Sequence, residues 1–226
     1  MKILVTGSKS GLGLAIADAL RFDGHNVIDY DLQTGDDVTR PFENRGKWGE
    51  LPSIHGLINC AGINHNEWFE DVTPESFERL MAVNAYSFVG MTQMFMGSLE
   101  VNKGFVINIV SNAAHIPMTS SLAYNASKAA GLMITKQMAH ELTPKHGITV
   151  FSVSPNKLAG TGMSKQIEDN VIATRGWTRE YAAEYQKKAL MHGLESPPEG
   201  VAAMIASLIS SGNWKFMSGC DIPFGK

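Results

Sequence analysis

Cysteine is scarce in this sequence, with only Cys60 and Cys220 among 226 residues. Their separation matches neither a metal-ligand spacing nor a paired disulfide framework. We therefore expect no metal site and no structural disulfide. A reducing compartment, the cytoplasm, is the simplest location for such a chain.

Excess charge of one sign and long apolar runs are missing as well. The chain has 19 Lys and Arg against 22 Asp and Glu, a net charge of −3, and no basic cluster, which argues against a nucleic-acid partner. No stretch approaches the roughly 20 apolar residues of a membrane-spanning helix. Glycine and charge interrupt the opening apolar run within ten residues, so we expect neither a signal peptide nor a membrane partner.

The bulk composition is ordinary for a globular protein. Hydrophobic residues make up 44% of the chain and charged residues 18%, and the length fits one domain with a full core. No repeat, low-complexity tract or linker interrupts it. We expect a single domain over residues 1–226.

Strand-like and helix-like patterns alternate along the chain, which is typical of a parallel sheet with helices on both faces. The predicted fold is therefore α/β, a Rossmann-like doubly wound parallel sheet. The predicted strands are Ile3–Val5, Asn26–Tyr30, Gly56–Asn59, Phe105–Val110, Ile148–Ser152 and Cys220–Ile222. The main predicted helices span residues 12–22, 75–98, 124–143 and 199–211.

The first strand leads directly into a glycine-rich turn and an alanine-rich helix. Gly7 permits a sharp turn, Gly11 lets the backbone approach a pyrophosphate, and Gly13 lets the helix pack against the strand. Amides at the start of the helix then bind phosphates. We expect Ser10 and Leu12, in the same turn, to contact the dinucleotide as well.

Asp31 ends the second predicted strand, eighteen residues after Gly13. An acidic residue at this place accepts hydrogen bonds from the adenosine ribose hydroxyls and favours NAD. The basic residue that would favour NADP is absent at Ser10 and at Leu32, although Lys9 in the phosphate turn is a counter-argument.

Tyr124 and Lys128 lie four residues apart in a predicted helix, and therefore on one helix face. A lysine ammonium near the phenol stabilises the phenolate, which lowers a pKa that is otherwise about 10. Such a tyrosine can exchange a proton with an alcohol oxygen while a hydride moves at the adjacent carbon. This chemistry requires a nicotinamide cofactor, and the glycine turn offers a place for one.

These motifs, in this order, resemble the short-chain dehydrogenase/reductase family in its single-domain branch, from Ile3 nearly to Lys226. The resemblance implies that Tyr124 is the general acid/base, that Lys128 lowers its pKa and holds the nicotinamide ribose, that Ser111 orients the substrate oxygen, and that Asn84 anchors a proton relay. Implied cofactor contacts beyond the turn and Asp31 are Asp37, Val38, Asn59, Ala61, Gly62, Pro155, Leu158 and Thr161. Asn59 has an alternative role, since an asparagine between strands often ties loops together.

Four places depart from the family pattern; two of them are an extra residue between Pro155 and Thr161 and the loss of one glycine of a usual pair in residues 218–225. Only five residues separate Asp31 from Asp37, whereas a parallel crossover needs about a dozen, so the third strand and the helix before it should be reduced. After Pro155 the usual glycine is Asn156, one of the residues that best tolerates a left-handed backbone.

The segment of residues 162–195 is too long to be a plain connection in a compact domain, and we expect it to form a substrate lid. Its candidate contacts are aromatic or apolar, at Trp177, Tyr181, Tyr185 and Met191, and basic, at Lys165, Arg175 and Arg179. Neither set decides the substrate. His115 and Met118 are further candidates for the pocket wall.

The sequence therefore predicts an NAD(H)-dependent oxidoreductase that interconverts a secondary alcohol and a ketone. The alternatives are an NADPH-dependent ketoacyl-type reductase and a dinucleotide-binding regulator without turnover. We expect a homodimer or homotetramer built on helices 75–98 and 124–143, because the second carries small residues that permit close approach: Ala126, Ala129, Ala130 and Gly131.

Overall fold

The computed structural model describes residues 1–44, 48, 50–190 and 192–225; Met191 and Lys226 lie outside them. All six strands pair in parallel in one sheet with the order β2-β1-β3-β4-β5-β6. The strands are β1 (Lys2–Thr6), β2 (Asn26–Tyr30), β3 (Gly56–Asn59), β4 (Phe105–Ile109), β5 (Thr149–Pro155) and β6 (Asp221–Phe224). The helices are α1 (Gly11–Phe22), α2 (Pro41–Asn44), α3 (Pro74–Met81), α4 (Ser87–Val101), α5 (Leu122–His146), α6 (Gly162–Arg175), α7 (Arg179–Ala189) and α8 (Pro198–Ser210).

Helices cover both faces of the sheet, as the sequence predicts. Successive residues of a strand point to opposite faces, so Ile3 and Val5 pack in a core with α1 and α8, while Leu4 packs in a second core with α4. The doubly wound prediction is confirmed.

The segment after β2 adds no strand to the described part of the sheet. A 3₁₀ turn at Leu32–Thr34 and the four-residue α2 take the place of a full crossover. The Tyr30 ring is fully buried and its hydroxyl donates to the Asp37 carbonyl at 3.2 Å, and Val38 packs in the same core. The reduction predicted from the short spacing goes as far as loss of the strand, and β2 becomes an edge strand.

The helix predicted over residues 75–98 is interrupted. A π-helical turn at Ala82–Tyr86 joins α3 to α4. Such turns are rare and occur often at functional sites. The turn carries Asn84, whose side chain is fully buried.

The strand order reverses at β1, which lies between β2 and β3. In open α/β sheets, ligands bind at such a switch point, at the carboxyl ends of the strands. Here the Thr6 hydroxyl accepts hydrogen bonds from the amides of Cys60 and Ala61 at 2.9 and 3.0 Å. These bonds fix the end of β1 against the end of β3 and so define one wall of a crevice.

Among the described residues, no helix combines the length and the apolar character that crossing a membrane requires.

Candidate active site

Backbone conformation or close contact favours glycine at three positions of the turn. Gly7 has φ +69° and Gly11 has φ +51°, the left-handed region that favours glycine. A Cβ on Gly13 would lie 2.1 Å from the Gly7 carbonyl oxygen, and one on Gly7 would lie 3.0 Å from Ala61 Cα. The turn therefore presents bare backbone at the carboxyl end of β1.

The start of α1 is open to a ligand. Ser10 is its N-cap residue, but the Ser10 side chain caps none of the described amides. The first amides of a helix have no partner within the helix, and they carry the positive end of the helix dipole. An uncapped helix start above a bare glycine turn fits the pyrophosphate of a dinucleotide.

The Asp31 carboxylate is buried, with 6% of the residue exposed, beside this turn. Its oxygens accept from the amide of Lys9 at 2.9 Å and from the amide of Gln33 at 2.8 Å. The carboxylate is therefore held in one orientation at the end of β2. Each oxygen keeps acceptor capacity for a ribose hydroxyl.

Lys9, the counter-argument to NAD, is engaged elsewhere. Its ammonium lies 2.5 Å from Asp29, whose second oxygen lies 2.8 Å from Arg21. Burial raises the pKa of the Asp29 carboxyl, but its hydrogen bonds and the Arg21 charge outweigh that effect and hold the pKa below its ordinary value. Asp29 is thus a charged partner for both cations.

A cavity of about 530 Å³ opens at the carboxyl ends of the strands. Its wall combines the two motifs that the sequence singles out, the glycine turn and the Tyr124 helix. The predicted site residues in its lining are Gly7, Ser10, Gly11, Leu12, Gly13, Ala61, Gly62, Ser111, Tyr124, Lys128, Pro155, Leu158 and Thr161.

Four predicted cofactor contacts lie outside this lining. Asp31 is at the neighbouring strand end described above. Asp37 accepts at 2.9 and 2.8 Å from the amide and hydroxyl of Thr39, and Val38 is a core residue. Asn59 is buried and donates to Asn108 Oδ1 at 2.8 Å. Its amide ties β3 to β4, which is the structural alternative given for this residue.

Tyr124 and Lys128 lie on one face of α5, and both are nearly buried. The Lys128 ammonium is 5.9 Å from the centroid of the Tyr124 ring and donates to the Ile109 carbonyl at 3.1 Å. Burial lowers the pKa of Lys128 to about 8.

The pKa of Tyr124 differs from the sequence expectation. Burial raises it above its ordinary value, and the Ser111 side chain offsets part of this effect. Removing a phenol from water disfavours the phenolate, and for Tyr124 this effect is larger than that of the Ser111 hydrogen bond. The structure therefore does not show the lowering by Lys128 that the sequence predicts.

Asn84 connects the π turn to α5. Its Oδ1 accepts from the Ile63 amide at 2.9 Å, while its Nδ2 donates to the Ile63 carbonyl at 2.9 Å and to Ser127 Oγ at 3.0 Å. A Cβ on Gly62 would lie 3.3 Å from Asn84 Oδ1 and 3.6 Å from Lys128 Nζ. Asn84 therefore lies next to the space beside the Lys128 ammonium.

Ser111 and His115 follow β4, but only Ser111 reaches the cavity. The Ser111 hydroxyl accepts from the Ala113 amide at 3.2 Å, which fixes the side chain at the start of a short turn. His115 instead bonds to Asp221 at 3.0 Å, outside the cavity lining, whereas Met118 is in it. His115, a candidate for the pocket wall, is therefore not in the lining, because Asp221 on β6 binds its ring.

The loop after β5 reaches the cavity with a backbone conformation different from the one we expected. Asn156 is not among the described residues with positive φ; Gly160 adopts φ +63° instead. Thr161 caps α6 by accepting from the Ser164 amide at 3.0 Å. It lies opposite the glycine turn, since a Cβ on Gly11 would be 3.7 Å from Thr161 Cβ.

The predicted lid consists largely of the helices α6 and α7. Trp177 and Tyr185 line the cavity, while Tyr181 packs edge-on against the Trp177 ring at 5.0 Å and lies outside the lining. Met191 is outside the described residues. Cys60, Asn64 and Asn66, which were not predicted as site residues, also line the cavity. Their position just after β3 is the sequence feature that indicates them.

Within the described ranges, no cluster of His, Cys, Asp or Glu is arranged to hold a metal ion.

Comparison with known proteins decides the family. The model of the short chain dehydrogenase family matches residues 45–172. A curated relative, 2-(S)-hydroxypropyl-CoM dehydrogenase 3 from Xanthobacter autotrophicus, is 32% identical over 190 residues, which cover 73% of this chain and 74% of the relative. This chain belongs to the short-chain dehydrogenase family.

Other similarities agree with this membership. Acetoacetyl-CoA reductase from Paracoccus denitrificans is 30% identical over 191 residues, which cover 75% of this chain and 78% of the relative. A solved short chain dehydrogenase family protein from Francisella tularensis superposes with a TM-score of 0.83 at 25% identity, over 99% of this chain and 96% of that one. The short-chain dehydrogenase is therefore an oxidoreductase with a Rossmann-like fold.

Proposed function

We propose that this short-chain dehydrogenase interconverts a secondary alcohol and a ketone with NAD(H). The observation that carries the proposal is the single cavity in which Ser111, Tyr124 and Lys128 meet the bare glycine turn. The names of two relatives, a hydroxypropyl-CoM dehydrogenase and an acetoacetyl-CoA reductase, refer to substrates with a hydroxyl or a keto group, which supports this reaction class.

The protein residues bind and orient the reactants. The α1 amides and the glycine turn would hold the pyrophosphate, Asp31 the adenosine ribose, and Lys128 the nicotinamide ribose. A bound nicotinamide dinucleotide accepts or supplies the hydride. Tyr124 transfers the proton of the substrate oxygen, and the Ser111 hydroxyl holds that oxygen by a hydrogen bond.

Asn84 and Lys128 supply the route for the proton that Tyr124 exchanges. The amide of Asn84 lies beside the space that borders the Lys128 ammonium, where a water would bridge the two groups. A relay of this kind returns Tyr124 to its starting protonation state after each turnover. Burial of Tyr124 keeps bulk water from competing for the same proton.

A cofactor-reduction assay tests the proposed function. Purified protein is incubated with NAD and a panel of secondary alcohols, and NADH formation is followed by absorbance. We expect turnover of at least one alcohol, reversed by the matching ketone with NADH. A protein that binds NADH but turns over nothing in either direction would instead support the alternative of a regulator without turnover.

We also propose that residues 162–195 act as a lid. In α6 the only buried residues are Ser164 and Val171, and in α7 only Ala182, so little apolar burial stabilises either helix. In the free protein, we expect amide hydrogens of α6 and α7 to exchange faster than those of β4 and β5, and to slow when cofactor and substrate bind. Exchange as slow as in the central strands without ligand would contradict the lid.

The protein is further proposed to be a homo-oligomer that pairs through α4 and α5. Gly131 permits close packing inside the protomer, since a Cβ there would lie 2.9 Å from the Phe88 ring. Met133 on the same helix is 63% exposed. We expect light scattering to report a dimer or tetramer at micromolar concentration, and Met133→Glu to shift it toward monomer. Phe22→Glu, at a 93% exposed site on α1, is the control; a monomeric wild type would reject the proposal.

A further inference from the structure

The lining of the cavity contains an excess of positive charge. Its lining holds Lys128, Lys157 and Arg175, and no Asp or Glu among the described residues. Lys128 belongs to the catalytic group, and the Lys157 ammonium lies 2.6 Å from Glu195. Arg175 has no ion pair with any carboxylate in the described part of the chain. With Lys128 assigned to the proton chemistry, Arg175 is the remaining cation of the described lining without a carboxylate partner.

The other two basic candidates of the lid are placed differently. Lys165 is exposed and outside the cavity lining. Arg179 is exposed as well and pairs with Glu168 at 3.2 Å and Asp169 at 2.9 Å. Neither side chain is available to a ligand in the cavity, so the structure separates Arg175 from residues that the sequence alone left equivalent.

Arg175 is held in place without being neutralised. It is the last residue of α6, and its guanidinium lies over the Trp177 ring at 4.8 Å from the centroid. Its Nε donates to Ser120 Oγ at 3.2 Å, and its Nη2 donates to the Thr119 carbonyl. A guanidinium has five N–H donors, so these contacts leave donors for a ligand.

The burial of this cation has a cost that its neighbours do not remove. Arg175 is half-buried, and burial lowers its pKa from the ordinary value. A partly desolvated charge is stable when an opposite charge and hydrogen bonds accompany it. The rigid guanidinium fork matches the paired oxygens of a carboxylate or a phosphate.

Two unsatisfied acceptors lie in the same wall. Asn64 and Asn66 line the cavity, each is 6% exposed, and the Oδ1 of each has no hydrogen-bond partner among the described groups. The Asn66 amide is oriented by donation from Nδ2 to Ser121 Oγ at 2.8 Å, which leaves Oδ1 as the free acceptor. Buried acceptors are normally satisfied, but both oxygens are shielded from the cavity space, so the case for a ligand depends on Arg175.

We propose that the substrate carries an anionic group, a carboxylate or a phosphate, and that Arg175 binds it while the reacting carbon lies at Ser111 and Tyr124. The substrate class is then a small hydroxy acid or a polyol phosphate. This inference rests on the proposed function for the identity of the reacting group, and Arg175 determines specificity without taking part in the proton transfer.

Matched pairs of probes test the charge requirement by calorimetry. One pair is 3-hydroxybutyrate and methyl 3-hydroxybutyrate, and the other is sorbitol 6-phosphate and sorbitol. Binding is measured to the protein saturated with NADH, because an alcohol cannot be oxidised in that complex. We expect the charged member of at least one pair to bind about tenfold to a hundredfold more tightly, the usual scale of a charge-assisted hydrogen bond. The pair that discriminates distinguishes carboxylate from phosphate.

Substitutions assign the effect to Arg175. In Arg175→Gln we expect the preference for the charged probe to disappear, and in Arg175→Lys to be partly retained, because the charge remains and the fork is lost. For any probe that is turned over, KM should rise in Arg175→Gln while kcat changes little. Arg179→Gln, which removes a neighbouring exposed cation, should retain the wild-type preference. Thermal unfolding of each variant reports whether Arg175 serves only to hold the 119–120 loop.

Two results would overturn the inference. The first is that the wild-type protein binds neither charged probe more tightly than its neutral partner. The second is that folded Arg175→Gln keeps the wild-type preference for the charged probe. Tight anion binding without turnover of any alcohol would count against the proposed function alone. Turnover of neutral alcohols with no preference for charge would count against the anion site alone.

Discussion

Replacing Tyr124 with phenylalanine is expected to lower kcat by at least about a hundredfold, the usual scale for loss of a general acid/base. The change removes one oxygen atom from a side chain that is 8% exposed, so packing in the cavity wall is kept. Steady-state turnover with saturating cofactor and substrate measures the effect. Tyr86→Phe, at a 59% exposed position, is the matched control and should be near wild type.

Substitutions at two neighbours of Tyr124 should also lower turnover. Lys128→Ala is expected to reduce turnover by a similar factor, because it removes the ammonium beside the phenol and the ribose contact. Ser111→Ala should impair the rate more than the affinity for substrate. Circular dichroism shows whether each variant remains folded. A folded Tyr124→Phe or Lys128→Ala protein with near-normal turnover would contradict the assigned roles.

NAD is expected to be preferred over NADP by roughly tenfold to several hundredfold in kcat/KM. Placing a 2′-phosphate beside the Asp31 carboxylate brings like charges together in a partly desolvated place, and such repulsion is worth on the order of one to a few kcal/mol. The backbone amides of Lys9 and Gln33 fix this carboxylate, so it cannot easily turn away. Measuring both cofactors with one substrate gives the ratio.

Variants distinguish the contributions to this preference. Asp31→Ser should narrow the ratio, because it removes the repelling charge and the ribose acceptor. Asp29→Asn should narrow it to a smaller extent, since it weakens the hold on the Lys9 ammonium. Asp71→Ser removes an exposed acidic side chain elsewhere and serves as the control. Equal or reversed values for the wild type would show that Asp31 does not face the ribose.

The features predicted well from the sequence depend on local patterns. The glycine turn follows from the positive φ that Gly7 and Gly11 adopt and from the contact between Gly13 and the Gly7 carbonyl. The pairing of Tyr124 with Lys128 follows from helix periodicity. The reduction after β2 follows from chain length, because five residues cannot complete a crossover, although the described structure goes further and has no strand there.

Other features depend on contacts between segments that are distant in the chain. Local sequence patterns do not predict such contacts. The π turn at Asn84 accompanies hydrogen bonds to Ile63, twenty-one residues away. His115, which follows β4, bonds to Asp221 on β6, on the far side of β5. Arg175 differs from Lys165 and Arg179 only through its tertiary surroundings. The pKa of Tyr124 likewise depends on how deeply the fold buries the phenol.

Transfer of deuterium tests the central claim most directly. A secondary alcohol from the panel, deuterated at its carbinol carbon, is incubated with NAD and the protein, and the nicotinamide product is analysed by mass spectrometry. The account predicts one deuterium in the NADH formed by the wild type, and transfer at least about a hundredfold slower in Tyr124→Phe. Absence of transfer from every alcohol, or an undiminished rate in Tyr124→Phe, would contradict it.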